Sequence, residues 1–183
     1  MQRVAAGLNA RSQVVAFEAA KLIWKDTDVR LERHLIQTLK KGPRPFNRTA
    51  AAYAMSAMVH RPRVIAALEQ AVDDKAENPR VRGQAAEALA TNHRKKSHDL
   101  LLKNLTDQSK EVRFWCAYTL GQMSESQAIP ALEMLTFSDK RVVKGFHSVA
   151  KEASDAVKEI KAKKAHRRKK GCIICIENDC PTP

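Results

Sequence analysis

Glycine is scarce in this 183-residue chain, with six residues, and aromatic side chains make up only 5% of it. Runs of β-branched and aromatic residues of the kind a sheet is built from are correspondingly few, which argues against an all-β fold. No glycine-rich phosphate loop, His-Glu-x-x-His helix or Gly-x-Ser-x-Gly turn occurs, so the usual local signatures of nucleotide use and hydrolysis are missing. No stretch of about 18 apolar residues is present, which argues against a membrane span. Met1 to Gly7 do not open a basic region followed by an apolar one, so the chain is expected to be soluble and cytoplasmic. Acidic residues are outnumbered, 20 against 33 Lys and Arg, giving a net charge of +13. Such an excess attracts nucleic acid, acidic proteins or anionic surfaces.

What the chain does have is Ala, Leu, Lys, Glu and Gln throughout, residues that lose little freedom in a helix. A self-similar pattern runs through them: an anchor, small residues four and five places on, and apolar or small ones at seven and eight. Val81-Arg82-Gly83-Gln84-Ala85-Ala86-Glu87-Ala88-Leu89 is the clearest copy, and further copies begin at Val112, Asn47, Val15 and Val149. Offsets of four, seven and eight share one helix face, and small side chains there let a second helix come close. A second apolar stretch follows each of the first four copies, at 31–39, 64–71, 100–105 and 129–135. The unit is therefore a helical hairpin. Hairpins this short bury their apolar faces only by stacking, so the fold class is all-α, an α-solenoid of about five units over residues 1–160, with the last one incomplete or capping.

The Val-Arg-x-x-Ala-Ala-x-Ala-Leu core and the Ala128-Ile129-Pro130-Ala131-Leu132 opening of a second helix resemble the HEAT-repeat family, and in particular its bacterial phycobilin-lyase type. The resemblance covers residues 12 to 160. It implies a binding architecture, with acids before the first helices and bases just inside them tying repeats together; Asp107 with Arg113 and Asp139 with Lys144 are the expected pairs. It also implies that the second helices line the concave surface. Iron enzymes built on such repeats use His-Glu pairs, whereas here only His98-Asp99 joins a histidine directly to an acid, and it reads as a surface polar pair.

The second helices and their approaches are rich in cations: Arg30, Arg33 and Lys40 in the first unit, Arg61 and Arg63 in the second, Lys95, Lys96 and Lys103 in the third. On this reading they form a basic groove for an acidic protein or for nucleic-acid phosphates. Trp115, at offset three of its copy, is a candidate binding anchor. Cys116, at a small-residue position, reads as inert packing.

Beyond residue 160 the pattern gives way to a basic, cysteine-containing tail, 161–183, expected to be disordered. Lys163, Lys164, Arg167, Arg168, Lys169 and Lys170 are its anion-binding candidates. Cys172, Cys175 and Cys180, with His166 six residues ahead, offer four donors for zinc, although all lie in one short peptide. A redox-sensitive thiol pair is the other reading.

No cofactor is called for. The function expected from all this is a non-catalytic scaffold or adaptor that presents a curved surface to a protein partner. Nucleic-acid binding through the basic groove and tail is the alternative, and an accessory role on a tetrapyrrole-bearing partner, taken from the lyase-type resemblance, is a third.

Overall fold

The computed structural model describes the backbone of residues 2–171 and the side chains of residues 3–166. Ten α-helices fill this stretch: α1 (Gln2–Gly7), α2 (Gln13–Asp26), α3 (Glu32–Lys41), α4 (Pro45–Met55), α5 (Pro62–Asp73), α6 (Pro79–Ala88), α7 (Lys95–Asn104), α8 (Lys110–Met123), α9 (Ile129–Ser138) and α10 (Val149–Gly171). No described helix is long and apolar enough to cross a membrane.

Local chemistry sets the helix starts. Pro45, Pro62, Pro79 and Pro130 stand in the first turns of α4, α5, α6 and α9, where a missing N–H costs nothing. Ser12 and Asn78 cap α2 and α6 by accepting from the Val15 and Arg80 backbone N–H groups. α2 and α8 each close on a residue in the left-handed region, Thr27 and Ser124.

α2/α3, α4/α5, α6/α7 and α8/α9 are the four complete hairpins, and α10 stands as the first helix of a fifth. The small residues do what their spacing implies. Ala50, Ala51 and Ala54 of α4, Ala85, Ala86 and Ala88 of α6 and Ala117 of α8 are buried where consecutive first helices meet. Leu35, Leu68, Leu101 and Leu132 plug the second helices into the same core.

In the first unit the anchor and the offset-seven residue, Val15 and Leu22, are about half exposed, whereas Ala19, Ala20 and Ile23 are buried. No earlier full hairpin stands beside α2 to cover them. A short helix that the repeat pattern does not announce, α1, packs on the Ala19 side of α2 and leaves those two open. It is fastened by Asn47 Nδ2, which donates to the carbonyls of Leu8 (2.6 Å) and Ala10 (3.0 Å).

Two expectations are corrected. The first helices pack extensively along the whole array, α2 on α4, α4 on α6, α6 on α8 and α8 on α10. The second helices meet more sparingly, and α7 and α9 scarcely touch. The closer layer of a curved stack is its inner one, so the first helices, not the second, line the concave side. Alanine is the reason, because it lets those axes approach. The chain also does not lose regular structure at 161, since α10 continues to Gly171. Lys161 bonds Glu133 of α9 (2.9 Å), and Lys163 reaches Glu159 (2.8 Å) and the Gln122 carbonyl (3.0 Å), which anchors the turn where the basic run begins.

Candidate binding surface

Three arginines at equivalent places in the repeat organise the turns. Arg48 pairs with Glu77 (2.7 Å), Arg82 with Asp107 (2.7 Å) and Arg113 with Asp139 (2.7 Å), each reaching the turn ahead of the next first helix. Each also donates to a backbone carbonyl nearer its own helix: Arg48 to Gly42, Arg82 to Val72, and Arg113 to Asp107 and Gln108. The expected pairs Asp107–Arg113 and Asp139–Lys144 are thus corrected by one repeat. The acid belongs to the arginine of the preceding unit, because that guanidinium points along the stack, and Lys144 lies exposed in the following loop. Burial pushes the Asp107 carboxyl upward in pKa, but hydrogen bonds from Arg82, Lys75 and the Ser109 N–H override it and hold it well below the usual carboxylate range.

With the turns fixed in this way, the N-terminal ends of the first helices enclose a groove of about 640 Å³ on the concave side. Phe17 of α2, Phe46 of α4, Trp115 of α8 and Phe146 of the α9–α10 loop supply its rings, and Asn78, Arg80, Gln84, Glu111 and Lys144 its polar groups. The rings continue along the helices. Trp24 lies seven residues after Phe17 and Tyr53 seven after Phe46, so each pair shares a flank of its helix, and Trp24 sits 6.4 Å from Tyr53 across the repeat seam. Tyr118, three residues after Trp115, stacks edge-on against it at 5.7 Å.

Trp115 owes its place to Gly83 of the neighbouring helix, where an added methyl would overlap the indole ring. Phe146 meets the other side of that indole at 5.1 Å, edge to face. The loop carrying Phe146 is pinned by a bridge between Val142 and Ser148 and turns at Gly145, whose φ of +85° favours glycine. Deeper along α6 the polarity changes. Glu87 accepts from Gln84 Nε2 (2.6 Å), and burial raises its carboxyl above the ordinary value. The Tyr118 hydroxyl is likewise raised, first by burial and then by Glu87, Glu152 and Glu159 nearby. The groove therefore runs from an aromatic mouth, where Arg80 pairs with Glu111 (3.6 Å) beside the exposed Lys144, toward an acidic flank.

The cations singled out on the second helices lie on the other side of the molecule, and most are already engaged. Arg30 pairs with Asp28 (2.9 Å), Arg61 with Glu32, Lys95 with Asp99 (3.1 Å), Lys96 with Glu69 (3.0 Å) and Lys103 with Asp73 (2.9 Å). Arg33, Lys40 and Arg63 are brought together around a cleft of about 320 Å³ between α3 and α5. Trp115 is not part of that face.

His98 pairs not with Asp99 but with Glu125 of the next hairpin (Nδ1 to Oε2, 2.6 Å). Cys116 is fully buried, and desolvation pushes its thiol up to about 12. His166 and Lys164 are exposed, and Arg167 to Lys170 continue the backbone of α10. Cys172, Cys175 and Cys180 lie outside the described residues; among the described residues no three His, Cys, Asp or Glu side chains are grouped so as to hold a metal.

Residues 74–145, from the turn ahead of α6 to the loop after α9, match the family model for HEAT repeats. This central part of the chain, two helical hairpins, is similar to HEAT repeats, and the same kind of arginine pair recurs in the unit before it. A crystal structure of an engineered protein shares the fold over 97% of this chain and 90% of its own, with a TM-score of 0.52 at 19% sequence identity. No curated protein matches the chain.

Proposed function

We propose that the chain is a non-catalytic scaffold that holds an extended segment of a protein partner in the concave groove of its first helices. The observation that carries this reading is the convergence of Phe17, Phe46, Trp115 and Phe146 from four separate elements on one groove edged by amides and cations. Rigid aromatic surface binds at low entropic cost, and the amides of Asn78 and Gln84 suit the donors and acceptors of an extended backbone. A solenoid surface of this kind suits protein binding in general. The test is selection from a displayed library of random peptides against the whole chain, repeated with Phe46→Ala and Trp115→Ala. Peptides that bind saturably, compete with one another and lose affinity by tenfold or more in those variants are expected. Selected peptides indifferent to both substitutions would remove the groove from the account.

The cluster of Arg33, Lys40 and Arg63, on the opposite face, supports a second reading, contact with a phosphate backbone or acidic partner. Its test is the salt dependence of binding described below.

A further inference from the structure

Tyr53 of α4, Glu87 of α6 and Tyr118 of α8 each stand six residues after the anchor of their repeat, Asn47, Val81 and Val112. Because these helices pack side by side, the three form one row across the concave layer. The row continues at its ends with Lys21 of α2 and Asp155 of α10, six residues after Val15 and Val149. Both end charges are matched on their own helices, Lys21 by Glu18 (2.8 Å) and Asp155 by Lys151 and Lys158. The acids beside the row are matched too. Glu152 takes His147 (2.8 Å), Glu159 takes Lys163 (2.8 Å) and Gln122 (3.0 Å), and Glu111 at the mouth takes Arg80 (3.6 Å). Glu87 differs from them. Among the described residues no cation pairs with it; its Oε2 accepts from the neutral Gln84 amide (2.6 Å), and its Oε1 accepts nothing.

Half-buried, Glu87 loses part of its hydration without gaining an opposite charge, in a chain whose net charge is +13. Its surroundings suit a cation brought from outside. Gln84, one turn before it on α6, lines the groove. The Tyr118 hydroxyl, raised first by burial, is raised again by the charge of Glu87, which puts the two within each other's field. Trp115, the indole of the groove, lies edge-on to Tyr118 at 5.7 Å. A carboxylate with phenol oxygens and aromatic faces around it is the set of groups that attracts an ammonium or a guanidinium.

We propose that the segment held in the groove presents a Lys or Arg side chain to Glu87, in the row between Tyr53 and Tyr118, with an apolar side chain two residues away against Trp115 and Phe146. The spacing comes from the extended chain, whose alternate residues share a face about 7 Å apart, close to the 5.7 Å between the Trp115 and Tyr118 rings. The inference rests on the groove reading and adds to it the chemistry of the occupant.

Selection of random displayed peptides against the full chain tests it, at about 150 mM salt to screen the exposed cations of the outer face. Against a protein of charge +13, unspecific capture enriches acidic peptides, so enrichment of Lys or Arg is a discriminating signal. The selected peptides are then titrated against the native chain, Trp115→Ala, Phe46→Ala, Glu87→Gln and Glu87→Lys, with circular dichroism checking that each variant keeps its helices. Peptides that depend on Trp115 are expected to carry Lys or Arg two places from an aromatic or large aliphatic residue, and to bind Glu87→Gln about tenfold more weakly. With their cation replaced by Glu, they should bind Glu87→Lys better than the native chain. Trp115-dependent peptides that lack a recurrent cation, or that bind Glu87→Gln as tightly as the native chain, overturn this inference and leave the groove reading standing. Weakening in Glu87→Gln without recovery in the charge swap assigns the effect to the shape of α6 and also overturns it. Selected peptides indifferent to both Trp115→Ala and Phe46→Ala overturn the groove reading and this inference together.

Discussion

Arg48, Arg82 and Arg113 each hold two successive turns at once, one through a carboxylate and one through a carbonyl. Arg82 and Asp107 are both nearly inaccessible, with side chains 4% and 3% exposed. Removing Arg82 leaves the buried Asp107 with only Lys75 and the Ser109 N–H to balance it, so Arg82→Met is expected to cost about 3 kcal/mol in urea unfolding, and the double variant Arg82→Met/Asp107→Leu to recover part of that loss. The same site sets an acid limit. Asp107 and Asp139 titrate below their unfolded values, so the stability they contribute is complete above about pH 4 and is lost as pH falls through the depressed folded values. Unfolding followed from pH 7 to pH 2 should therefore show a steep acid-side decline that is shallower in Asp107→Asn, whose starting stability is lower. That a base just inside a first helix ties repeats together was implied by the resemblance, and Arg113 was expected in that role. Which acid each arginine takes was not legible, because that depends on the direction of a side chain along the stack.

At the scale of the element, the first helices carry the design. Their alanines bring the axes together, Gly121 of α8 lets α10 close in at Ala156, and Gly83 of α6 opens the space for an indole from the next helix. Gly83→Ala should expel Trp115, cost about 1–3 kcal/mol through overpacking, and shift the tryptophan emission to longer wavelength, with Trp24, already 47% exposed, contributing an unchanged background. The groove rings were present in the sequence as aromatics seven apart in α2 and α4, but Phe17, Phe46 and Phe146 were not recognised there. Only when four elements are superposed in register do these scattered rings become one surface. α10 shows the converse. Its basic end reads as disorder when charge alone is weighed, yet Lys and Ala are good helix formers, and Lys161 and Lys163 find partners on α9, α8 and α10 itself.

For the whole molecule, a net charge of +13 does not translate into a continuous positive groove, because five of the second-helix cations are paired within or between repeats. Binding to duplex DNA or RNA should therefore be backbone-directed, measurable by anisotropy near 50 mM salt and largely lost near 200 mM. Replacing Arg33, Lys40 and Arg63 together by Ala should weaken it uniformly across sequences. Affinity that persists at the higher salt, or that discriminates between sequences, would count against the protein-scaffold reading. The two faces thus separate by experiment, the aromatic concave groove responding to Trp115 and Phe46, the outer face to salt.

The sequence by itself determined the helical class, the hairpin unit and the stacking, since spacing of small and apolar residues fixes which face each helix buries, and no distant contact is needed to read it. Tertiary structure decided the curvature, the partners of the charges and the place of the groove. Those follow from relative helix spacing and from side chains meeting across 25 to 30 residues, and a linear pattern contains the residues of such encounters without their geometry.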